Sequence, residues 1–107
     1  MPTYILLSTL TPEGRRTVYD NPDRVEEVNR ELAALDCKVV SQYAVLGQYD
    51  YVSIVDAPDN ETIAYLSLEL GRRGTVNIVT LPAIPAAQFR MKLKEPKERD
   101  HPKHPRW

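Results

Sequence analysis

The residues of this chain with the clearest potential for chemistry are a phenol and a carboxylate, Tyr49 and Asp50, at the start of an apolar stretch. At the mouth of a cavity, such a pair is able to hold a polar ligand or to pass a proton. A carboxylate at the start of a strand is equally able to accept hydrogen bonds from a neighbouring turn or helix end. The spacing fixes no second acid or base beside the pair, so we favour a structural role for Asp50.

A wider set of polar residues lies on predicted strands, among apolar neighbours. Ligand pockets combine apolar walls with a few convergent polar groups, so this set is a candidate small-molecule site. The alternative is a subunit interface in which the hydroxyl groups satisfy one another or bind water. The candidate ligand-binding residues are Tyr4, Ser8, Gln42, Tyr49, Asp50, Tyr51, Ser53 and Asn77.

The remaining reactive side chains do not predict a catalytic or metal site. Cys37 is the only cysteine and has no histidine near it in sequence, so we expect a small core or strand-edge residue. His101 and His104 have a spacing found in metal ligands, but Pro102 and Pro105 prevent the helix that would align them. We therefore predict no metal and no cofactor.

Composition narrows the class of protein and of partner. The chain has 107 residues, of which 42% are hydrophobic and 27% charged, which is typical of one globular domain. The net charge of −1 gives no reason to expect nucleic acid or an anionic membrane as a partner. The apolar runs are too short for a membrane span, and the N-terminus does not have the pattern of a signal peptide. With a single cysteine, these features favour a cytoplasmic location.

Hydrophobic periodicity and turn signals predict the elements that position the candidate site, in the order βαββαβ. Val25, Val28 and Leu32 recur at helical spacing, and Gly47-Gln48 fits a two-residue type II′ hairpin turn. The predicted strands are Thr3–Leu10, Cys37–Leu46, Tyr49–Asp56 and Thr75–Leu81, and the predicted helices are Pro12–Val18, Pro22–Leu35, Asn60–Leu70 and Pro85–Arg90.

This order predicts an α+β fold, a ferredoxin-like βαββαβ sandwich with an antiparallel sheet and helices on one face. The other face is too apolar to leave in water, so a second copy should stack on it and form a dimeric α+β barrel. The predicted register places on that uncovered face Tyr4, Leu6, Tyr49, Tyr51, Ser53, Val55, Asn77 and Val79.

Several short motifs together resemble the GYD domain family. The pattern Gly47-x-Tyr49-Asp50 is followed by an apolar strand and then by Asp56-Ala57-Pro58-Asp59. Met1-Pro2-Thr3-Tyr4, the Thr11-Pro12-Glu13-Gly14 turn and Arg24 also match, so the resemblance spans roughly residues 1–90. It implies a ferredoxin-like fold and a dimeric α+β barrel, and it does not imply a common reaction.

The resulting functional prediction is a small self-associating protein with a binding or assembly role, without nucleic-acid or membrane partners. Two alternatives stay open. One is a cofactor-free enzyme of the α+β barrel type, a monooxygenase, isomerase or decarboxylase acting on a small organic substrate. The other is an accessory subunit of a larger complex. The domain is expected over residues 1–91, and a charged, proline-rich tail over 92–107, which we expect to dock on a second protomer.

Overall fold

The computed structural model describes residues 1–96 and contains four strands and four helices in this range. His101, His104, Trp107 and most of the predicted tail lie outside the described residues. Within residues 1–96, none of the helices has the length and apolar character that a membrane span requires. The elements are β1 (Thr3–Leu10), α1 (Pro12–Asp20), α2 (Arg24–Ala33), β2 (Lys38–Ala44), β3 (Tyr51–Asp56), α3 (Asn60–Gly71), β4 (Val76–Ala83) and α4 (Ala86–Lys94).

The four strands form one sheet in the order β2-β3-β1-β4, and each neighbouring pair is antiparallel. Helices α2 and α3 form the connections from β1 to β2 and from β3 to β4. This is the βαββαβ pattern of a ferredoxin-like α+β sandwich, so the predicted fold class is confirmed.

The hairpin between β2 and β3 is longer than predicted. The strands end at Ala44 and resume at Tyr51, and the Val45 N–H donates to the Asp50 carbonyl at 2.9 Å. The prediction of a two-residue type II′ loop is therefore wrong, although Gly47 does have a positive φ of 105°, which favours glycine.

The predicted register within this hairpin is correct over most of its length and fails at one end. Gln42 pairs with Ser53, as predicted. The predicted pairing of Val40 with Val55 is wrong, because a bulge shifts the register and Val39 becomes the partner of Val55. Periodicity alone cannot reveal such an extra residue.

The helix starts follow the capping signals in two places out of three. The Thr11 side chain accepts from the Gly14 N–H at the start of α1, and the Asp59 side chain accepts from the Thr62 N–H at the start of α3. Helix α2 begins at Arg24, two residues later than predicted, after Asp23, which makes no side-chain capping bond.

Close packing fixes α1 against the start of β4. The Thr11 N–H donates to the Thr75 carbonyl at 3.0 Å, and the Thr11 hydroxyl donates to the Gly74 carbonyl at 2.8 Å. Gly14 is buried at this contact, where a Cβ atom would lie 1.9 Å from the Thr75 carbonyl oxygen. Only glycine permits this approach, so α1 lies directly over the sheet at the site described below.

The core lies between the helices and one face of the sheet, and this corrects our assignment of the faces. The prediction that Tyr4, Leu6, Tyr51, Ser53 and Val55 lie on the uncovered face is wrong. Tyr4, Leu6, Ser53 and Val55 are buried under the helices, and Tyr51 lies on the same side of the sheet. Both faces carry apolar residues, and a period of two shows which residues share a face without showing which face the helices cover. The buried apolar core consists of Tyr4, Leu6, Leu32, Cys37, Val55, Ala57, Ile63, Leu66 and Leu70.

The opposite side of the sheet, which we call the open face, has no helix of the described range packed on it. Its strand registers align two rows of side chains across the sheet. Val79 and Asn77 lie on this face as predicted, and Val79 is 46% exposed. The first row is Tyr43, Val52, Leu7 and Val79, and the second row is Ser41, Ile54, Ile5 and Leu81.

Candidate functional site

A cavity of about 120 Å³ lies between the sheet and the helices α1 and α2. One water needs roughly 10–15 Å³ measured in this way, so the space is large enough for several waters or a small organic molecule. Its walls are mostly aliphatic, supplied by Leu6, Leu10, Val18, Val25, Val28, Leu32, Val39, Val55, Leu70, Val76 and Ile78.

The sheet contributes three hydroxyl groups to this cavity. Ser8 on β1 and Tyr51 on β3 are direct cross-strand partners, so their side chains stand next to each other on the helix-facing side. Ser53 follows two residues after Tyr51 on the same face and is 5% exposed. Strand alternation therefore brings these hydroxyls together.

A directed chain of hydrogen bonds ends at one of these hydroxyls. The Asn29 Nδ2 donates to Gln42 Oε1 at 2.9 Å, and the Gln42 Nε2 donates to Ser53 Oγ at 2.9 Å. Asn29 projects from α2 and Gln42 from β2, so the chain joins the helix to the sheet across the cavity. Ser53 Oγ is thus an acceptor in this chain, and its own O–H remains able to donate.

Paired charges border the cavity. Arg24 and Arg73 line it, and their side chains are 34% and 30% exposed. Arg73 Nη1 lies 2.8 Å from Glu31 Oε2, and Arg24 Nη2 lies 4.0 Å from Glu31 Oε1. Arg24 also pairs with Glu27 at 3.4 Å. Because carboxylates neutralise both guanidinium groups, the rim has no strong preference for an anion.

The structure brings four of the eight candidate residues together in the cavity, namely Ser8, Gln42, Tyr51 and Ser53. Tyr4 lies outside it, with its ring in the core and its hydroxyl donating to Asn60 Oδ1. Burial raises the pKa of the Tyr4 phenol, and the nearby Asp59 carboxylate adds to this rise.

The remaining candidates do not reach the cavity. Asp50 accepts the Leu10 backbone N–H through Oδ2 at 2.7 Å, the structural role that we favoured for it. Tyr49 is half-buried in the hairpin loop and does not line the cavity, and Asn77 is exposed on the open face. The Tyr49–Asp50 pair is therefore not assembled into a site here.

Sequence reasoning missed three residues that complete the cavity: Asn29 and Arg24 on α2, and Arg73 in the turn after α3. One of them did carry a signal. Asn29 follows Val25 by four residues and precedes Leu32 by three, so it interrupts the apolar stripe of α2 with an amide. A polar residue at a buried position needs a partner. Here that partner is Gln42.

Cys37 is a core residue, in line with one of the two places predicted for it. Its side chain is 2% exposed, and burial raises the pKa of its thiol, with the Asp36 carboxylate adding to the effect. The thiol thus stays protonated at neutral pH, which does not suit a nucleophile. Within residues 1–96, no cluster of three or more His, Cys, Asp or Glu side chains has the arrangement of a metal site.

A family model described as the GYD domain matches residues 4–92. The chain is 50% identical over 95 residues to a protein of Thermus thermophilus, named glutamine synthetase and cystathionine beta-lyase binding protein. This alignment covers 88% of the chain and 100% of that relative, and no solved structure matches. The chain belongs to the GYD domain family.

Proposed function

We propose that this chain is a self-associating protein-binding module whose partners are metabolic enzymes. The observation that carries the proposal is the exposure of large apolar side chains on the described residues. Monomeric proteins rarely expose contiguous apolar patches larger than a few hundred Å², and larger patches mark interaction sites. Exposed apolar side chains lie on the open face and on helix α4.

The open face is the surface that we assign to self-association. Its two rows contain six aliphatic side chains, Leu7, Val52, Val79, Ile5, Ile54 and Leu81. Of these side chains, Val79 is 46% exposed and Leu81 is 42% exposed. An apolar surface of this kind can pair with itself about a two-fold axis, because each copy then presents the same rows to its partner. Stacking two copies would produce the α+β barrel that the sequence predicts.

Helix α4 is the surface that we assign to the enzyme partner. None of its residues is buried, and Phe89 is 51% exposed. Aromatic residues are enriched in protein–protein interfaces, and a helix that docks in a groove is a common recognition mode. The homologue from Thermus thermophilus is named for binding glutamine synthetase and cystathionine beta-lyase, so these two enzymes are the first partners to test.

The test is biolayer interferometry with the immobilised full-length chain and each of the two purified enzymes in solution. We expect saturable binding of at least one enzyme, and no binding of serum albumin. Phe89→Ala should weaken binding by about 30-fold, since aromatic anchors contribute roughly 2 kcal/mol or more. Tyr19→Ala is the matched control, because Tyr19 is an 86% exposed aromatic residue on α1, and its removal should change the affinity by less than about twofold.

Two results would contradict the proposal. If neither enzyme binds the wild-type chain above the albumin signal, the partner class is wrong. If the enzymes bind and Phe89→Ala and Tyr19→Ala behave alike, α4 is not the contact surface.

A further inference from the structure

The three hydroxyl groups that the strands contribute to the cavity between sheet and helices have hydrogen-bonding capacity that the protein does not use. Among the described residues, neither Ser8 Oγ nor the Tyr51 hydroxyl has a hydrogen-bond partner, and Ser53 Oγ is contacted only as an acceptor, by Gln42. Ser53 is buried, whereas Ser8 and Tyr51 are half-buried, so their hydroxyl groups remain accessible from the cavity. A few convergent polar groups among apolar walls are typical of ligand pockets. Three hydroxyls converging on one largely aliphatic space therefore indicate a place for a molecule that accepts hydrogen bonds.

The direction of the hydrogen-bond chain specifies the kind of group that fits. Asn29 donates to Gln42, and Gln42 donates to Ser53. The group at the end of the chain that can still form a hydrogen bond is therefore the Ser53 O–H donor. A carbonyl oxygen placed at that end would receive this hydrogen bond, and Tyr51 or Ser8 would be able to supply a second.

The walls and the rim specify the rest of the ligand. The aliphatic lining favours a hydrocarbon body, and bringing an unpaired charge into such a space is costly. Arg24 and Arg73 do not offset that cost, because Glu31 already pairs with both. The volume of about 120 Å³ is close to that of engineered apolar cavities of about 150 Å³ that bind benzene, so a six-membered ring is a suitable size.

We propose that this cavity is a binding site for a small, uncharged, mostly apolar molecule carrying a carbonyl group. The Ser53 hydroxyl, oriented by Gln42 and Asn29, donates to the carbonyl oxygen, and Tyr51 and Ser8 provide further donors. The aliphatic side chains of the sheet and of α2 enclose the hydrocarbon body. This site lies on the side of the sheet opposite the open face, so it is separate from the surface assigned to self-association.

The probes are cyclohexanone and methylenecyclohexane, which have nearly the same shape and differ in replacing the carbonyl oxygen with a CH₂ group. Each is titrated into the ¹⁵N-labelled full-length chain and followed by the backbone amide signals. We expect cyclohexanone to shift the signals of Gln42, Tyr51 and Ser53 with a saturable dependence, and to bind about tenfold more tightly than methylenecyclohexane because one hydrogen bond to a buried donor is gained.

Two variants locate the site. Ser53→Ala should weaken cyclohexanone binding by about tenfold and leave methylenecyclohexane unchanged. Ser41→Ala is the matched control, because Ser41 lies on the open face of the same sheet and its removal should alter neither. Tyr51→Phe removes only a hydroxyl from the cavity and provides a second test if Ser53→Ala does not fold.

The proposal is overturned if cyclohexanone does not bind the wild-type chain, or if both probes bind with equal affinity. It is also overturned if Ser41→Ala weakens cyclohexanone binding as much as Ser53→Ala does, or if neither Ser53→Ala nor Tyr51→Phe weakens it.

Discussion

The sharpest test of the open face is the substitution Leu81→Glu. Leu81 lies in the second row of this face beside Ile5, and its side chain is 42% exposed in the protomer. In the isolated protomer the new carboxylate remains hydrated, so the free energy of unfolding should change by no more than about 1 kcal/mol. In a stacked dimer, the same carboxylate would be covered by apolar side chains of the second copy.

The two-fold symmetry doubles the effect of this substitution. Each dimer would contain two unpaired buried carboxylates, and each costs about 3 kcal/mol or more. A total of about 6 kcal/mol corresponds to an increase of about 10⁴-fold in the dimer dissociation constant. A dimer that is stable at micromolar concentration would then be monomeric under all ordinary conditions.

Sedimentation velocity across a range of concentrations measures this change, and circular dichroism melting confirms that the variant folds. The matched control is Leu68→Glu, since Leu68 is 75% exposed on α3, on the helix side of the sheet, and the same substitution there should leave the dimer intact. The reasoning is refuted if Leu81→Glu sediments as the wild type does, or if Leu68→Glu dissociates the dimer equally well.

Three further predictions concern single residues of the fold. Gly14→Ala should lower the free energy of unfolding by several kcal/mol, because its Cβ would lie 1.9 Å from the Thr75 carbonyl oxygen and α1 would have to move; chemical denaturation measures this, and an unchanged midpoint would refute the contact. Asp50→Ala should cost about 1–2 kcal/mol by leaving the Leu10 N–H without its acceptor, and Asp50→Asn should cost less; equal effects of the two in urea titrations would contradict this explanation. The thiol of Cys37 should react with a disulfide reagent much more slowly in the native than in the unfolded chain, and a native rate equal to that of the unfolded chain would refute the burial. Because burial raises the pKa of this thiol, its contribution to the free energy of unfolding is present below the ordinary thiol pKa of about 8.5 and is lost as the pH rises through the native pKa.

The order of elements could be predicted because local signals and the fold agree. Thr11 and Asp59 are capping residues placed directly before helical stretches, and the structure uses both as caps. The apolar spacing of Val25, Val28 and Leu32 produced one amphipathic helix, as expected. Such signals act over a few residues, so a single sequence displays them fully.

The assignment of sheet faces could not be predicted in the same way. In β1, Tyr4 and Leu6 alternate with Ile5 and Leu7, so both faces are apolar and the hydrophobic pattern does not distinguish the core from an interface. Tertiary packing determines which face becomes the core, because the helices cover the face that carries Tyr4. The bulge before Ser41 is likewise invisible to a period-two pattern.

Half of the candidate residues could be assigned correctly to the cavity from the sequence, for a related reason. The strand residues Ser8, Gln42, Tyr51 and Ser53 share one face, and alternation places them together whichever face it is. Asn29 lies on α2 and Arg73 in the turn after α3, and the positions of these segments over the sheet depend on long-range contacts. The orientation of the hydrogen-bond chain through Gln42 also requires three-dimensional structure.

Native mass spectrometry of the freshly purified chain, alone and mixed with glutamine synthetase or cystathionine beta-lyase, tests the central claim most directly. For the chain alone, we predict a dimer with twice the protomer mass of 12.2 kDa. For at least one mixture, we predict an additional species whose mass is that of the enzyme plus one or more copies of this dimer. A spectrum that shows only the 12.2 kDa protomer and both enzymes at their unaltered masses would contradict the proposed function.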